Sequence, residues 1–329
     1  MQTTKFGETG LKVSRLCFGT ATFGKQTEEK TAFKILDKVA DAGINFIDTA
    51  DGYPMGADFT LVGRTEEVVG RWLKNKRQQF ILATKGALPM GPAPWNQGTS
   101  RKHLLDAIDG SLRRLGTDYV DLYQVHFDDR ATPPDAALEA LDTIVRSGKT
   151  RYIGASNILA YRLARAIGRS DTLKISRYIS VQPRYNLLFR EIERELLPLA
   201  QEEGIAVIPF NPLAGGLLTG KYNKNETPTE GQFSAANINN FGALYQQRYW
   251  HDRQFETVAR LGEIAKTRGV PLTTLSVAWV PANPTIAAAI LGASRLEQLD
   301  GSLAAANYAV DPELKEQLDA EYRRGDADH

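Results

Sequence analysis

The sequence predicts an α/β barrel of eight parallel strands. Three observations lead there. Short apolar runs alternate with helical patterns along the chain. Most of those patterns stop at a glycine, and a strand-like run follows at once. The runs number eight, which is what a (β/α)8 barrel needs. A doubly wound open sheet is the structural alternative.

Taken in order, the opening TTKFGETGLKVS (3–14) reads as an extra β-hairpin that turns near Glu8–Gly10 and caps the bottom of the barrel. RLCFG (15–19) is the first strand. Ala32, Phe33, Ile35, Leu36, Val39 and Ala40 share one helical stripe, Gly43 stops it, and NFIDT (45–49) follows. FILATK (80–85) is the third strand. Leu104, Leu105, Ile108, Leu112 and Leu115 form the next stripe, ended by Gly116 before YVDLYQVH (119–126). Pro133 and Pro134 suit a helix start. Leu138, Leu141, Ile144 and Val145 continue that helix, Gly148 ends it, and RYIGAS (151–156) follows. YISVQ (178–182) is the sixth strand. A helix over Glu191–Gly204 leads to IAVIPF (205–210), and IAAAIL (286–291) completes the set. Without a linker or short repeat, residues 1–329 read as one domain.

A net charge of +1 gives no nucleic-acid footprint. The single cysteine, Cys17, excludes an internal disulfide, and its apolar neighbours favour a buried structural thiol. The amino terminus carries no signal-peptide core, and no apolar stretch reaches membrane-spanning length. A cytoplasmic protein with no membrane partner is the expectation.

In such a barrel the active site forms at the C-terminal ends of the strands. Strand two ends in Asp48, with Tyr53 in its loop; strand three ends in Lys85; strand four ends in His126. Singly, each has a plainer reading: a turn cap, a packed phenol, a solvated amine, a structural imidazole. Together they suit carbonyl chemistry. A phenol titrates near 10, too high for easy proton donation at neutral pH. A neighbouring ammonium lowers that value, so Lys85, paired with Asp48, is expected to make Tyr53 a usable general acid. His126 is expected to orient a carbonyl oxygen.

These residues resemble the catalytic tetrad of the aldo-keto reductases. The resemblance runs through GINFIDTADGY (43–53), ATK (83–85), LRRLGTDYVDLYQVH (112–126), SGKTRYIGASN (147–157), VQPRYN (181–186) and NPLAGGLLTGKY (211–222). It points to the bacterial branches near the potassium-channel beta subunits. It implies NADP(H)-dependent interconversion of an aldehyde or ketone and its alcohol. A cofactor-sensing regulatory subunit with slow catalysis is the alternative.

No G-x-G-x-x-G occurs, which argues against a Rossmann site. The resemblance implies NADPH lying across the barrel mouth. Ser156, Asn157 and Gln182 would hold the nicotinamide carboxamide, and Phe210 would stack under its ring. Asn211, Pro212, Leu213, Gly215, Gly216, Gly220 and Lys221 would serve the pyrophosphate. Gly292, Ser294 and Arg295 follow the last strand, with Arg295 suited to a 2′-phosphate and Ser294 alternatively a helix cap. Gln298 matches an adenine-site position, but Gly301 and Ser302 stand where many relatives have Glu–Asn.

Substrate choice falls to the loops at 87–98, 127–132 and 223–250. Trp95 either walls the pocket or pins its Pro-rich loop. Asp128 and Asp129 either bind a polyol or are simply solvated. A long C-terminal substrate loop is not expected, so the mouth would accept sugar-like or bulky carbonyls. Oligomeric state is not readable.

Overall fold

The computed structural model describes every residue except 227, 230, 235–240 and 328–329. The hairpin is present as antiparallel β1 (Thr3–Lys5) and β2 (Lys12–Ser14), with Thr4 opposite Val13. The barrel strands are β3 (Leu16–Gly19), β4 (Phe46–Asp48), β5 (Ile81–Gly86), β6 (Val120–Val125), β7 (Thr150–Ser156), β8 (Tyr178–Gln182), β9 (Ala206–Val207) and β10 (Ala289–Gly292). They form one parallel sheet in the order β10-β3-β4-β5-β6-β7-β8-β9. A parallel bridge between Val207 and Ile286 brings the two edges together. The amides of Ala287 and Ile290 donate to the carbonyls of Val207 and Pro209, so the sheet closes into a barrel.

Helices α1 (Glu29–Asp41), α2 (Arg64–Leu73), α3 (Arg101–Leu115), α4 (Pro134–Arg146), α5 (Ala160–Leu173) and α6 (Leu196–Glu202) make the successive crossovers from β3 to β9. α7 (Phe241–Tyr249), α8 (Asp252–Thr267) and α9 (Leu272–Trp279) lie between β9 and β10, and α10 (Leu299–Ala304) and α11 (Pro312–Ala327) follow. Ala32, Ile35, Leu36 and Val39 of α1 are buried, as their spacing requires. Gly116 takes φ +64° beyond α3, a left-handed cap that a side chain would strain.

Element boundaries differ from the sequence expectation at several points, among them the last strand, which begins at Ala289 rather than 286; two have a plain physical reason. The segment from Glu191 is first a 3-10 turn (Glu191–Glu193), and α6 begins at Leu196. Pro198 then occupies the first turn, where its missing N–H breaks no helical bond. β9 stops at Val207, because Pro209 cannot donate to a ladder. Phe210 still bridges to Arg184 beyond it.

Inside the barrel, side chains alternate along each strand. A lower apolar layer holds Cys17, Phe46, Ala83, Leu122, Ala206 and Ile208, and Phe6 and Val13 of the hairpin join it from below. Phe6 meets Phe46 edge-on at 5.6 Å. The hairpin turn seats on Gly204, whose carbonyl accepts from the Glu8 amide; a Cβ on Gly7 would come within 2.5 Å of that oxygen. The expected cap is therefore a packed floor. Burial pushes the Cys17 thiol well up, as the structural reading requires. No helix among the described residues is long and apolar enough to cross a membrane.

Candidate active site

One pleat above that layer the interior turns polar. Two residues beyond Phe46 stands Asp48, two beyond Ala83 stands Lys85, and two beyond Leu122 stands Gln124. Strand register aligns Lys85 with Gln124. Lys85 is fully buried and its Nζ donates to Asp48 Oδ2 at 2.5 Å and to the Thr49 carbonyl at 2.8 Å. Asp48 Oδ1 accepts from Gln182 Nε2 at 3.0 Å and Gln124 Nε2 at 3.2 Å. The carboxylate thus has charge and hydrogen bonds to replace its lost hydration. Burial works against the Lys85 ammonium, but Asp48 and Tyr53 favour it more, and its pKa rises.

Tyr53 is held over this pair from both sides. Its amide donates to the Ala50 carbonyl, and its carbonyl accepts from the Gly63 amide. Lys85 Nζ lies 5.1 Å from the Tyr53 ring centre, and the His126 ring meets it edge-on at 5.5 Å. His126 extends β6, with its amide on the Gly86 carbonyl. Burial, then the Lys85 charge, pushes the imidazole well below its ordinary pKa, so it is neutral. Its Nδ1 is buried without a partner among the described residues. The Tyr53 phenol corrects one expectation. Lys85 does pull its pKa down, but burial outweighs that pull, and the net shift is upward. Tyr53 therefore rests as a protonated phenol with the Lys85 ammonium beside it.

The whole arrangement sits at strand ends of one barrel. The aldo/keto reductase family model matches residues 15–323. The chain belongs to the aldo/keto reductase family. It is 38% identical to "Uncharacterized oxidoreductase YrpG" of Bacillus subtilis, over 97% of this chain and 95% of that protein. It is 36% identical to "Probable voltage-gated potassium channel subunit beta" of Arabidopsis thaliana, over 93% and 91%. "Aldo-keto reductase YhdN" of Bacillus subtilis is 33% identical, over 91% and 87%. The family is one of oxidoreductases that generally use nicotinamide cofactors.

The structure brings the amide-rich residues of this family member together. Asn157 Nδ2 donates to Ser156 Oγ and to the His126 carbonyl, both at 3.0 Å, and Ser156 Oγ donates to the Gln182 carbonyl at 2.9 Å. Phe210 is half-buried beside Arg184. Asn211, Pro212 and Leu213 lead into a 3-10 turn (Ala214–Thr219), with Gly215, Gly216 and Gly220 all at positive φ. Their amides bond within the loop, to Asn211 Oδ1, the Leu213 carbonyl and the Leu217 carbonyl. Lys221 Nζ lies over the Tyr222 ring. Gly292, the last residue of β10, and Arg295 beyond it are exposed, and Gln298 Oε1 accepts from Ser294 N, Ser294 Oγ and Arg295 N. Gly301 and Ser302 face packing instead: the Gly301 carbonyl accepts from Thr274, and Ser302 is buried.

The loop acids are neither free nor merely solvated. Asp129 accepts from Thr99 N and Oγ1, Thr132 Oγ1 and Ala131 N, and its pKa falls to about 2 although partial burial opposes this. Asp128 pairs with Arg162. Both fasten loops. Trp95 is 59% exposed. Residues 227, 230 and 235–240 of the expected substrate stretch lie outside the described residues. Sequence reasoning missed Gln124, although its place two residues before His126 on one strand was available. It also missed Asp51, fully buried in the Tyr53 loop, whose carboxyl burial and Glu66 push well up.

Proposed function

We propose that this chain, as one domain, is an NADP(H)-dependent oxidoreductase interconverting an aldehyde or ketone and its alcohol, with Tyr53 as general acid and base. The observation that carries the reading is the buried Asp48–Lys85 pair directly beneath Tyr53, with neutral His126 at its edge. The residues present fit a nicotinamide cofactor: the Ser156–Asn157–Gln182 cluster suits its carboxamide and Phe210 its ring. Lys221 and Arg295 supply cations for its phosphates. When bound, the nicotinamide supplies or accepts the hydride.

The chain's own residues do the rest. His126, uncharged, donates a hydrogen bond that places the carbonyl oxygen. Tyr53 gives that oxygen its proton in reduction and takes it back in oxidation. Lys85 stabilises the phenolate left behind, and Asp48 keeps Lys85 charged and aimed. Gln124 and Gln182 hold Asp48 in turn.

The likeness to a channel beta subunit supports a second reading, a cofactor-sensing subunit with slow catalysis. Steady-state oxidation of NADPH, followed by absorbance against a panel of aldehydes and ketones, tests the first. Sustained turnover supports the enzyme; a single slow turnover with tight NADPH binding supports the sensor.

A further inference from the structure

Half-buried arginines in this protein are generally paired. Arg77 meets Asp121, Arg114 meets Glu66, Arg162 meets Asp128, and Arg190 meets Glu193 and Asp319. Two are not. Arg184 and Arg248 are both half-buried, and neither has a carboxylate partner among the described residues. The Arg184 guanidinium lies 5.6 Å from the ring centre of Tyr249, the residue next to Arg248, and burial followed by the Arg184 charge pulls the Arg248 pKa down.

Their place is the mouth of the barrel. Arg184 stands two residues beyond Gln182, so strand alternation puts it on the same face, and it bridges to Phe210. Its guanidinium stacks 3.4 Å from the Phe189 ring centre and 5.6 Å from that of Tyr249. Arg248 comes from α7. That helix is fixed over the mouth, because Tyr249 Oη accepts from Asn186 and Asn211, both at 3.0 Å. One turn earlier, Tyr245 packs on Gly215, where a Cβ would come within 2.6 Å of its ring. The Tyr245 phenol, raised first by burial, feels Tyr53 as well as both arginines.

Two like charges held near one another in partly desolvated positions, with no carboxylate partner, are unfavourable unless an anion joins them. The phosphate-binding positions expected for the cofactor are other residues, Lys221 before α7 and Arg295 after β10. Resting on the reductase reading above, we propose that Arg184 and Arg248 receive an anionic group of the substrate. The substrate is then a carbonyl compound bearing a carboxylate or a phosphate. Phe127, stacked on His126 at 5.1 Å and 49% exposed, offers an apolar wall for the part between.

The test compares matched substrates on the full chain with NADPH. One pair is 4-carboxybenzaldehyde and its neutral methyl ester; the other is glyceraldehyde 3-phosphate and glyceraldehyde. The expected result is a kcat/KM preference for one or both anionic members of roughly 10- to 150-fold, the range of a charge-assisted contact. The pair showing it identifies the group. Arg184→Gln and Arg248→Gln should each erase most of that ratio, while NADPH affinity by fluorescence titration stays within about two-fold. Arg184→Lys, which keeps the charge and the stacking stem, should retain part of the ratio if the glutamine variant folds poorly. Reduction of all four aldehydes without preference overturns this inference and leaves the reductase reading standing. No turnover with any carbonyl overturns both. Loss of NADPH affinity in the arginine variants at an unchanged substrate ratio assigns the pair to the cofactor and also overturns it.

Discussion

Replacing Lys85 with methionine separates the two jobs of the buried pair. The side chain is fully buried, and its loss removes the 2.5 Å bond to Asp48 and the 2.8 Å bond to the Thr49 carbonyl. Asp48 would keep the Gln124 and Gln182 amides, but its charge would be uncompensated. Breaking a buried pair in this way costs about 3–5 kcal/mol. Because the Lys85 pKa is raised in the folded state, its contribution is complete below the ordinary lysine value and is lost only as pH rises above it. Urea unfolding at pH 7.5 therefore reads the full loss. The double variant Asp48→Asn/Lys85→Met removes both charges and should recover most of it. Turnover should not recover. Both variants lose the cation that stabilises the Tyr53 phenolate, so kcat should fall about 10²–10⁴-fold. Burial already lifts the phenol, so without Lys85 its pKa climbs further. The alkaline limb of the reduction profile should move to higher pH on a lower plateau. Wild-type turnover with an unmoved limb in Lys85→Met would refute the electrostatic role. Recovery of turnover along with stability in the double variant would do the same.

Tyr53→Phe should lower kcat about 10²–10⁴-fold with little change in NADPH affinity, read by absorbance and fluorescence; near-full activity would remove Tyr53 from the mechanism. Asp129→Ala should cost roughly 1–2 kcal/mol at pH 7 after allowance for partial exposure. Its carboxylate is depressed to about 2, so that contribution holds above the ordinary aspartate value and vanishes as pH falls through about 2. Melting curves of the two proteins should therefore converge near pH 2. Arg295→Ala should weaken NADPH roughly 10- to 150-fold and NADH hardly at all, and equal effects on both would place the 2′-phosphate elsewhere.

Much of the barrel was legible because its signals are local. Apolar stripes with glycine stops marked the helices, and strand ends exposed Asp48, Lys85 and His126. Gln124 was equally legible by alternation. Tyr53 shows where local reading ends: the sign of its pKa shift depends on burial, which the lid of surrounding loops decides. Asp129 looked solvated because its partner Thr99 lies 30 residues away. α7 was the hardest element. Its mixed sequence has no clean apolar stripe, and its position depends on Asn186 and Asn211 gripping Tyr249 from two other loops. The arginine pair on and beneath it was hidden for the same reason.

The closure of the barrel has a dynamic consequence. β6 and β7 are joined along nearly their full length, whereas β9 meets the last strand through the Val207–Ile286 bridge and the bonds of Ala287 and Ile290. That seam should open at lower free energy than the rest of the wall, and its amides should exchange with deuterium first. The loop at 211–221 hangs from one lip of the seam and the loop at 292–298 from the other. Any molecule gripped by both works as a clasp. NADPH bound across them should slow exchange at 205–208 and 286–290 far more than at β6 and β7, coupling occupancy of the mouth to the integrity of the cylinder beneath it.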